Sequence, residues 1–242
     1  MMHDITHSVN QNNTKENIDN IRMRVGKAAQ KAGRKPEDIK IIAVTKNISP
    51  DRIIEAINAG VFDLGENRVQ ELLDKINDIN VFNKNINWHM IGHLQKNKVK
   101  YLVDNVAMIH SLDSMELAME INKRAQNAGR IIDVLIQINI AEEESKFGLF
   151  KEQVMDFIGK VSELKNINVK GLMTIAPFVN NPEDVRFVFS QLRKIFIDIS
   201  RENIDNIDMD YLSMGMSNDF EVAVEEGANI IRIGTAIFGK QY

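Results

Sequence analysis

IIDVLIQINI, residues 131–140, carries a single charge and shows no alternation of apolar with polar side chains. A strand with one face in water alternates with period two, whereas a strand covered on both faces reads as a continuous apolar, β-branched run. Such a strand belongs in a parallel sheet with helices on its outside, and the neighbouring sequence supplies them. DSMELAMEINKRAQNAG (113–129) precedes it as a helix closed by glycine. KEQVMDFIGKVSEL (151–164) follows as another, after the polar loop AEEESKFGLF (141–150).

Outward from this centre the same alternation repeats. Toward the N-terminus lie the strand KIIAVTK (40–46) and the helix DRIIEAINAG (51–60), with Ser49 as its expected cap and Pro50 at its first position. VFDLGEN (61–67) and RVQELLDKIND (68–78) form the next unit. NWHMIGH (87–93) leads into a short helix over QKNKVKYLVD (95–104), and VAMIHSL (106–112) is the fourth strand. Toward the C-terminus, NVKGLMTIAP (168–177) precedes the longest helix, NPEDVRFVFSQLRKIFIDISREN (181–203). YLSMG (211–215) precedes NDFEVAVEEG (218–227), where Asn218 and Glu221 have capping-box spacing. NIIRIGTAIFG (229–239) closes the series with a strand and a last helical turn.

Eight strand and helix units predict a closed (β/α)8 TIM barrel, for which about 250 residues is typical. An open doubly wound sheet is the alternative, weakened because no glycine-rich dinucleotide fingerprint follows the first strand. NIDNIRMRVGKAAQKAG (17–33), with Ile18, Ile21, Val25 and Ala29 at helical spacing, adds an N-terminal helix. Residues 1–16 are expected to be a flexible polar segment, and 17–242 a single domain.

The 242 residues are 44% hydrophobic, enough for a core without disulfides, which the absence of cysteine excludes in any case. Thirty basic against 34 acidic residues leave a formal charge of -4, which gives no electrostatic case for nucleic acid or an anionic membrane. No run approaches the roughly 20 apolar residues of a membrane span. A cytoplasmic protein is expected, monomeric by default since a closed barrel needs no partner, with a dimer left open.

Barrel chemistry sits where the C-terminal ends of the strands meet the loops that follow. That rule gathers Lys46, Glu66 and Asn67, His89 and His93, His110 and Ser111, Asn139, Thr174, Ser213 to Ser217 and Arg232 to Thr235 at one rim. An amine partly removed from water, such as Lys46, has its charged form disfavoured and becomes a nucleophile toward aldehydes. A lysine that reaches solvent or pairs with Glu66 is the plainer alternative. In MGMSND (214–219) and RIGTAIFG (232–239), N–H groups of Gly215 to Ser217 and of Gly234 to Ala236 are placed to converge on an anion, with TAIFG as the short extra helix; tight turns also account for both glycines. Arg232 needs an acceptor in an apolar barrel, either a carboxylate such as Glu66 or a cofactor ring nitrogen. Lysine, phosphate cradle and arginine together describe a site for pyridoxal 5'-phosphate. An arginine at the pyridine nitrogen favours the unprotonated ring, a weaker electron sink.

VTK (44–46), GENRVQE (65–71), WHMIGHLQKNK (88–98), SKFG (145–148), GLMTIAP (171–177), LSMGMSNDFEVAVEEG (212–227) and RIGTAIFG (232–239) closely resemble the YggS/PROSC family of pyridoxal phosphate homeostasis proteins, in order along the chain. The resemblance implies a barrel of the alanine racemase N-terminal domain type, with the cofactor held as a Schiff base on Lys46. It further implies Arg232 at the pyridine nitrogen, Ser213, Met214, Gly215, Ser217, Gly234 and Thr235 around the phosphate and ring, and Asn67 on the cofactor's hydroxyl side. It implies cofactor homeostasis without an established turnover reaction, and apo forms of pyridoxal phosphate enzymes as candidate partners.

Three other functions compete. A racemase or decarboxylase is one; in the related two-domain racemase the second base is a tyrosine associated with another domain. This chain ends at Tyr242 just after the expected barrel, and Tyr101 and Tyr211 are no evident substitute. A Schiff-base aldolase is the second. A metal enzyme using His89 and His93 is the third, disfavoured because WHMIGH reads as strand and turn without an HExxH carboxylate.

Overall fold

The computed structural model describes residues 13–79, 85–143 and 146–239. Its eight strands are β1 (Lys40–Val44), β2 (Asp63–Glu66), β3 (Asn87–Met90), β4 (Met108–Leu112), β5 (Ile132–Gln137), β6 (Ile167–Met173), β7 (Ile207–Ser213) and β8 (Ile230–Ile233). All pair in parallel in sequence order, and β1 closes on β8 with Ile42 opposite Arg232. The strands therefore form the closed barrel that the count of eight predicts. In β5 every residue is buried except the half-buried Asp133, as a strand covered on both faces requires.

The helices are α1 (Thr14–Lys31), α2 (Pro50–Asn58), α3 (Val69–Ile79), α4 (Met115–Asn127), α5 (Val154–Val161), α6 (Arg186–Ser200), α7 (Phe220–Glu225) and α8 (Thr235–Phe238). They wrap the sheet and bury one continuous apolar layer in which Trp88, Phe189 and Phe220 are the largest fully enclosed side chains. The segment between β3 and β4 is 3-10 helix over Lys96–Tyr101 rather than α-helix. β7 begins four residues earlier than the sequence suggests. The acidic Asp208 and Asp210 that hide it both reach Lys170 of β6, at 2.8 and 3.2 Å.

Two expected caps are not formed. Ser49 precedes Pro50 in the cap position without a side-chain hydrogen bond. Asn218 and Glu221 make no capping box: Asn218 donates to the Val179 carbonyl, and Glu221 forms a two-pronged pair with Arg24 at 3.0 and 2.7 Å. That pair is part of how α1 is fastened. Asn17 donates to the Ile237 carbonyl in α8 at 2.9 Å, and Arg34 holds the carbonyls of Val224 and Ala228. The extra helix thus braces the last two helices, those nearest the expected phosphate loops. It starts within the segment expected to be flexible, since Asn13 caps it through a bond from the Glu16 N–H at 3.1 Å; residues 1–12 and 240–242 lie outside the described residues.

Candidate functional site

The strand ends of β1, β7 and β8 enclose a cleft of about 280 Å3, lined by Val44, Pro177, Phe178, Met216, Ser217, Asn218, Asp219, Arg232, Gly234 and Thr235. Of the residues predicted from sequence, the cleft brings together Ser217, Arg232, Gly234 and Thr235. Three others are placed differently. Ser213 is fully buried beneath Arg232. Met214, expected among the cofactor-binding residues, packs its side chain in the apolar core, and Met216 lines the cleft. Asn67 lies toward β3, where its backbone blocks any side chain at Gly92 and its N–H bonds Glu66 at 3.1 Å.

Arg232 is 4% exposed, and its guanidinium donates to Ser213 Oγ at 2.7 Å and to the Thr174 carbonyl at 2.9 Å. Both acceptors are uncharged. Burial without a bonded carboxylate pulls its pKa down to about 10, opposed by the more distant charge of Asp219. The Glu66 pairing considered for it does not occur. Glu66 instead accepts from Lys75 of α3 and from Thr45 Oγ1 at 2.7 Å.

Lys46 is expected at the covered end of a strand, yet β1 stops at Val44 and Lys46 is an exposed side chain in the turn that follows. The turn is tied from three sides. Thr45 gives its hydroxyl to Glu66, and its carbonyl accepts from Lys75 Nζ at 2.6 Å. Asn47 takes a left-handed φ of 58°, and its N–H donates to Glu71 at 3.2 Å. A fixed base thus presents an exposed amine two residues beyond Val44, which itself lines the cleft.

The two glycines of the expected cradle have different causes. Gly215 has φ +92°, and an added Cβ would lie 2.6 Å from that of Ala223, so turn and packing alone require glycine. Gly234 has an ordinary φ of -109°, and a Cβ there would sit 3.4 Å from Val44 Cβ in normal contact. Neither its φ nor crowding demands glycine at 234, and its bare backbone faces the cleft. Two of the expected anion donors are already engaged: the Met216 N–H by Asp219 at 2.6 Å and the Ala236 N–H by Ser217 Oγ at 3.2 Å. The second bond ties the β7 and β8 loops together.

His89 and His110, expected at the rim, point into the barrel. His110 Nδ1 lies 3.0 Å from Ser213 Oγ; since β4 and β7 are not neighbours, this bond crosses the interior. His93 stacks on Phe147 and meets Asp113 at 3.2 Å, so the two histidines proposed for a metal have separate partners. Among the described residues no cluster of three or more His, Cys, Asp or Glu side chains fit to hold a metal is found. Ser111, Asn139 and Thr174 bond backbone carbonyls of neighbouring loops. Lys146 pairs with Glu143 at 2.6 Å at a smaller opening beside Phe147.

Sequence reasoning passed over Asp219, Phe178 and Lys75. Lys75 left a signal, since it falls on the apolar stripe of Leu72, Ile76 and Ile79, where a charge needs a buried partner. Phe178, 85% exposed at the cleft edge, left none.

The chain matches the model of the alanine racemase N-terminal domain over residues 16–241. It is 45% identical to the pyridoxal phosphate homeostasis protein of Aquifex aeolicus, across 95% of this chain and 99% of that one. The corresponding Escherichia coli K12 protein is 36% identical over 94% and 97%. The solved structure of PipY from Synechococcus elongatus with PLP bound superposes with a TM-score of 0.82 at 31% identity, covering 93% of this chain and all of that one.

Proposed function

Since the chain belongs to the pyridoxal phosphate homeostasis family, built on the alanine racemase N-terminal domain, we propose that it holds pyridoxal 5'-phosphate in the cytoplasm through covalent attachment to Lys46. Bound pyridoxal phosphate supplies an aldehyde that combines with amines and, when its ring nitrogen is protonated, an electron sink. The residues present suit it. Lys46 offers an accessible amine, Ser217 and Thr235 bring hydroxyls to the cleft, and Gly234 leaves room for a group to approach the backbone. Arg232, which lines the cleft, would face the ring nitrogen, whereas Asn67 lies outside the cleft lining and is assigned to the hydroxyl side by the family resemblance alone.

The observation that carries this reading is the buried Arg232, hydrogen-bonded to a hydroxyl and a carbonyl rather than to a carboxylate. A group that only donates leaves a ring nitrogen unprotonated and so favours retention over carbanion chemistry. A racemase also needs a base on each face of the substrate. Tyr101 is a surface residue, and Tyr211 lies below the cleft with Lys40 5.8 Å from its ring. If homeostasis includes delivery of the cofactor, apo forms of pyridoxal phosphate enzymes are the candidate recipients. Purified protein loaded with pyridoxal phosphate and incubated with D- and L-alanine is expected to retain its visible absorbance and leave both enantiomers unchanged. Rapid inversion that depends on Lys46 would overturn the proposal.

A further inference from the structure

Below Arg232 an unbroken series of polar side chains, buried as far as His89 and half-buried at Asp63, runs through the barrel. Arg232 Nη1 meets Ser213 Oγ at 2.7 Å, Ser213 Oγ meets His110 Nδ1 at 3.0 Å, His110 Nε2 meets His89 Nδ1 at 3.0 Å, and His89 Nε2 meets Asp63 Oδ1 at 3.0 Å. Asp63 is the first residue of β2 and sits 3.2 Å from Lys40, the first of β1, whereas Ser213 ends β7. The series thus joins the cleft to the opposite mouth of the barrel. Ser213 and His110 are fully buried and His89 is 2% exposed.

The two ends dictate every hydrogen between them. A guanidinium can only donate, so Ser213 accepts from Arg232. A carboxylate can only accept, so His89 carries its hydrogen on Nε2. Burial pushes both imidazoles below their usual pKa, His110 well below, and a neutral ring has one donor and one acceptor. His89 Nδ1 therefore accepts from His110 Nε2–H, and His110 Nδ1 accepts the hydroxyl hydrogen of Ser213. All four bonds point from Arg232 toward Asp63. If Ser213 had no acceptor beneath it, its hydrogen would swing toward Arg232 or the cleft, and the arginine would lose a fixed partner.

Resting on the placement of Arg232 at the cofactor ring, we infer that His110 and His89 are positioning residues for the pyridoxal phosphate site: they pull the Ser213 hydroxyl hydrogen away from the cleft and so fix the direction in which Arg232 donates. Neither histidine touches the cleft, and Ser213 acts through Arg232 rather than on the phosphate.

Two measurements test this. Nitrogen-15 NMR of histidine-labelled wild-type protein at neutral pH, with resonances assigned through the His110 variants, is expected to show His89 and His110 both neutral and both protonated on Nε2. The opposite tautomer or an imidazolium at either would overturn the relay, whatever the cofactor does. The second measurement follows cofactor retention on dialysis and its visible absorbance maximum in His110→Leu, His110→Asn and Arg232→Leu. Leucine removes the acceptor below Ser213 and is expected to weaken retention about tenfold, the worth of one ordered hydrogen bond, and to shift the absorbance. Asparagine places an oxygen where Nδ1 was and is expected to stay within threefold of wild type. If both His110 variants lose cofactor equally, the histidine serves packing and the inference is wrong. An effect in Arg232→Leu but none in His110→Leu also overturns it, while leaving the placement of Arg232 intact. No effect in Arg232→Leu removes that placement and the inference with it.

Discussion

Replacing Lys75 with methionine isolates the ion pair that underlies the Lys46 turn. Glu66 is fully buried, and Lys75 retains only 10% of its side-chain exposure. The substitution keeps an apolar stem of similar length and removes the ammonium, so Glu66 is left with two hydrogen bonds, from Thr45 Oγ1 and the Asn67 N–H, and no countercharge. Removing one partner of a buried pair costs about 3–5 kcal/mol, and the two surviving bonds place this case near the lower end, about 3 kcal/mol. That is a large share of the roughly 5–15 kcal/mol by which a domain is stable, and at this chain length it lowers the melting temperature by about 6–12 °C. In Glu66→Gln/Lys75→Met no buried charge remains, so at least half of the loss should return. Urea denaturation of wild type, both single variants and the double variant supplies the cycle. A Lys75→Met variant within about 1 kcal/mol of wild type, or a double variant that equals the sum of the singles, would refute the assignment.

Two further perturbations separate fold from site. Gly215→Ala forces a Cβ against Ala223 at a positive φ and should cost about 2–4 kcal/mol in urea denaturation. Gly234→Ala should leave stability within about 0.5 kcal/mol but weaken pyridoxal phosphate retention, because the new methyl occupies the cleft beside Val44. Acid should also destabilise the barrel through its histidines. His89 and His110 have folded pKa values below the usual 6.5, so the unfolded chain binds more protons as pH falls from about 6.5. Stability is full above that value and is lost as pH falls below it, more through His110, whose pKa is held well below the usual value, than through His89. Lys40, Asp63 and Arg232 are the charges nearest them, and Asp63, held low by His89 and Lys40 despite its burial, stays ionised through this window. Urea midpoints at pH 7 and pH 5 should show the loss, and His110→Asn should remove the larger part of it.

The barrel was legible in the sequence because its punctuation is chemical. β5 is apolar but for Asp133 and Gln137 and does not alternate, glycines close several helices, and eight units are enough to bring β1 beside β8. From that closure, Arg232, Gly234, Thr235 and Ser217 could be placed together in advance. What escaped depends on which way a side chain faces across the lumen. His110 and Ser213 lie on non-adjacent strands, and only the three-dimensional register joins them. Met214 and Met216 differ in role for the same reason, one turned into the core and one into the cleft. The capping box failed because Glu221 is drawn to Arg24, a tertiary partner 197 positions away, which local spacing cannot register.

On this reading the exposed amine of the β1 turn is the point of attachment. Borohydride treatment of the native protein loaded with pyridoxal phosphate, followed by proteolysis and peptide mass mapping, tests it directly. A single reduced adduct is expected on the peptide that contains Lys46, and its loss in Lys46→Ala. A native adduct on Lys75 or Lys146, or a yellow, reducible Lys46→Ala protein, would contradict it.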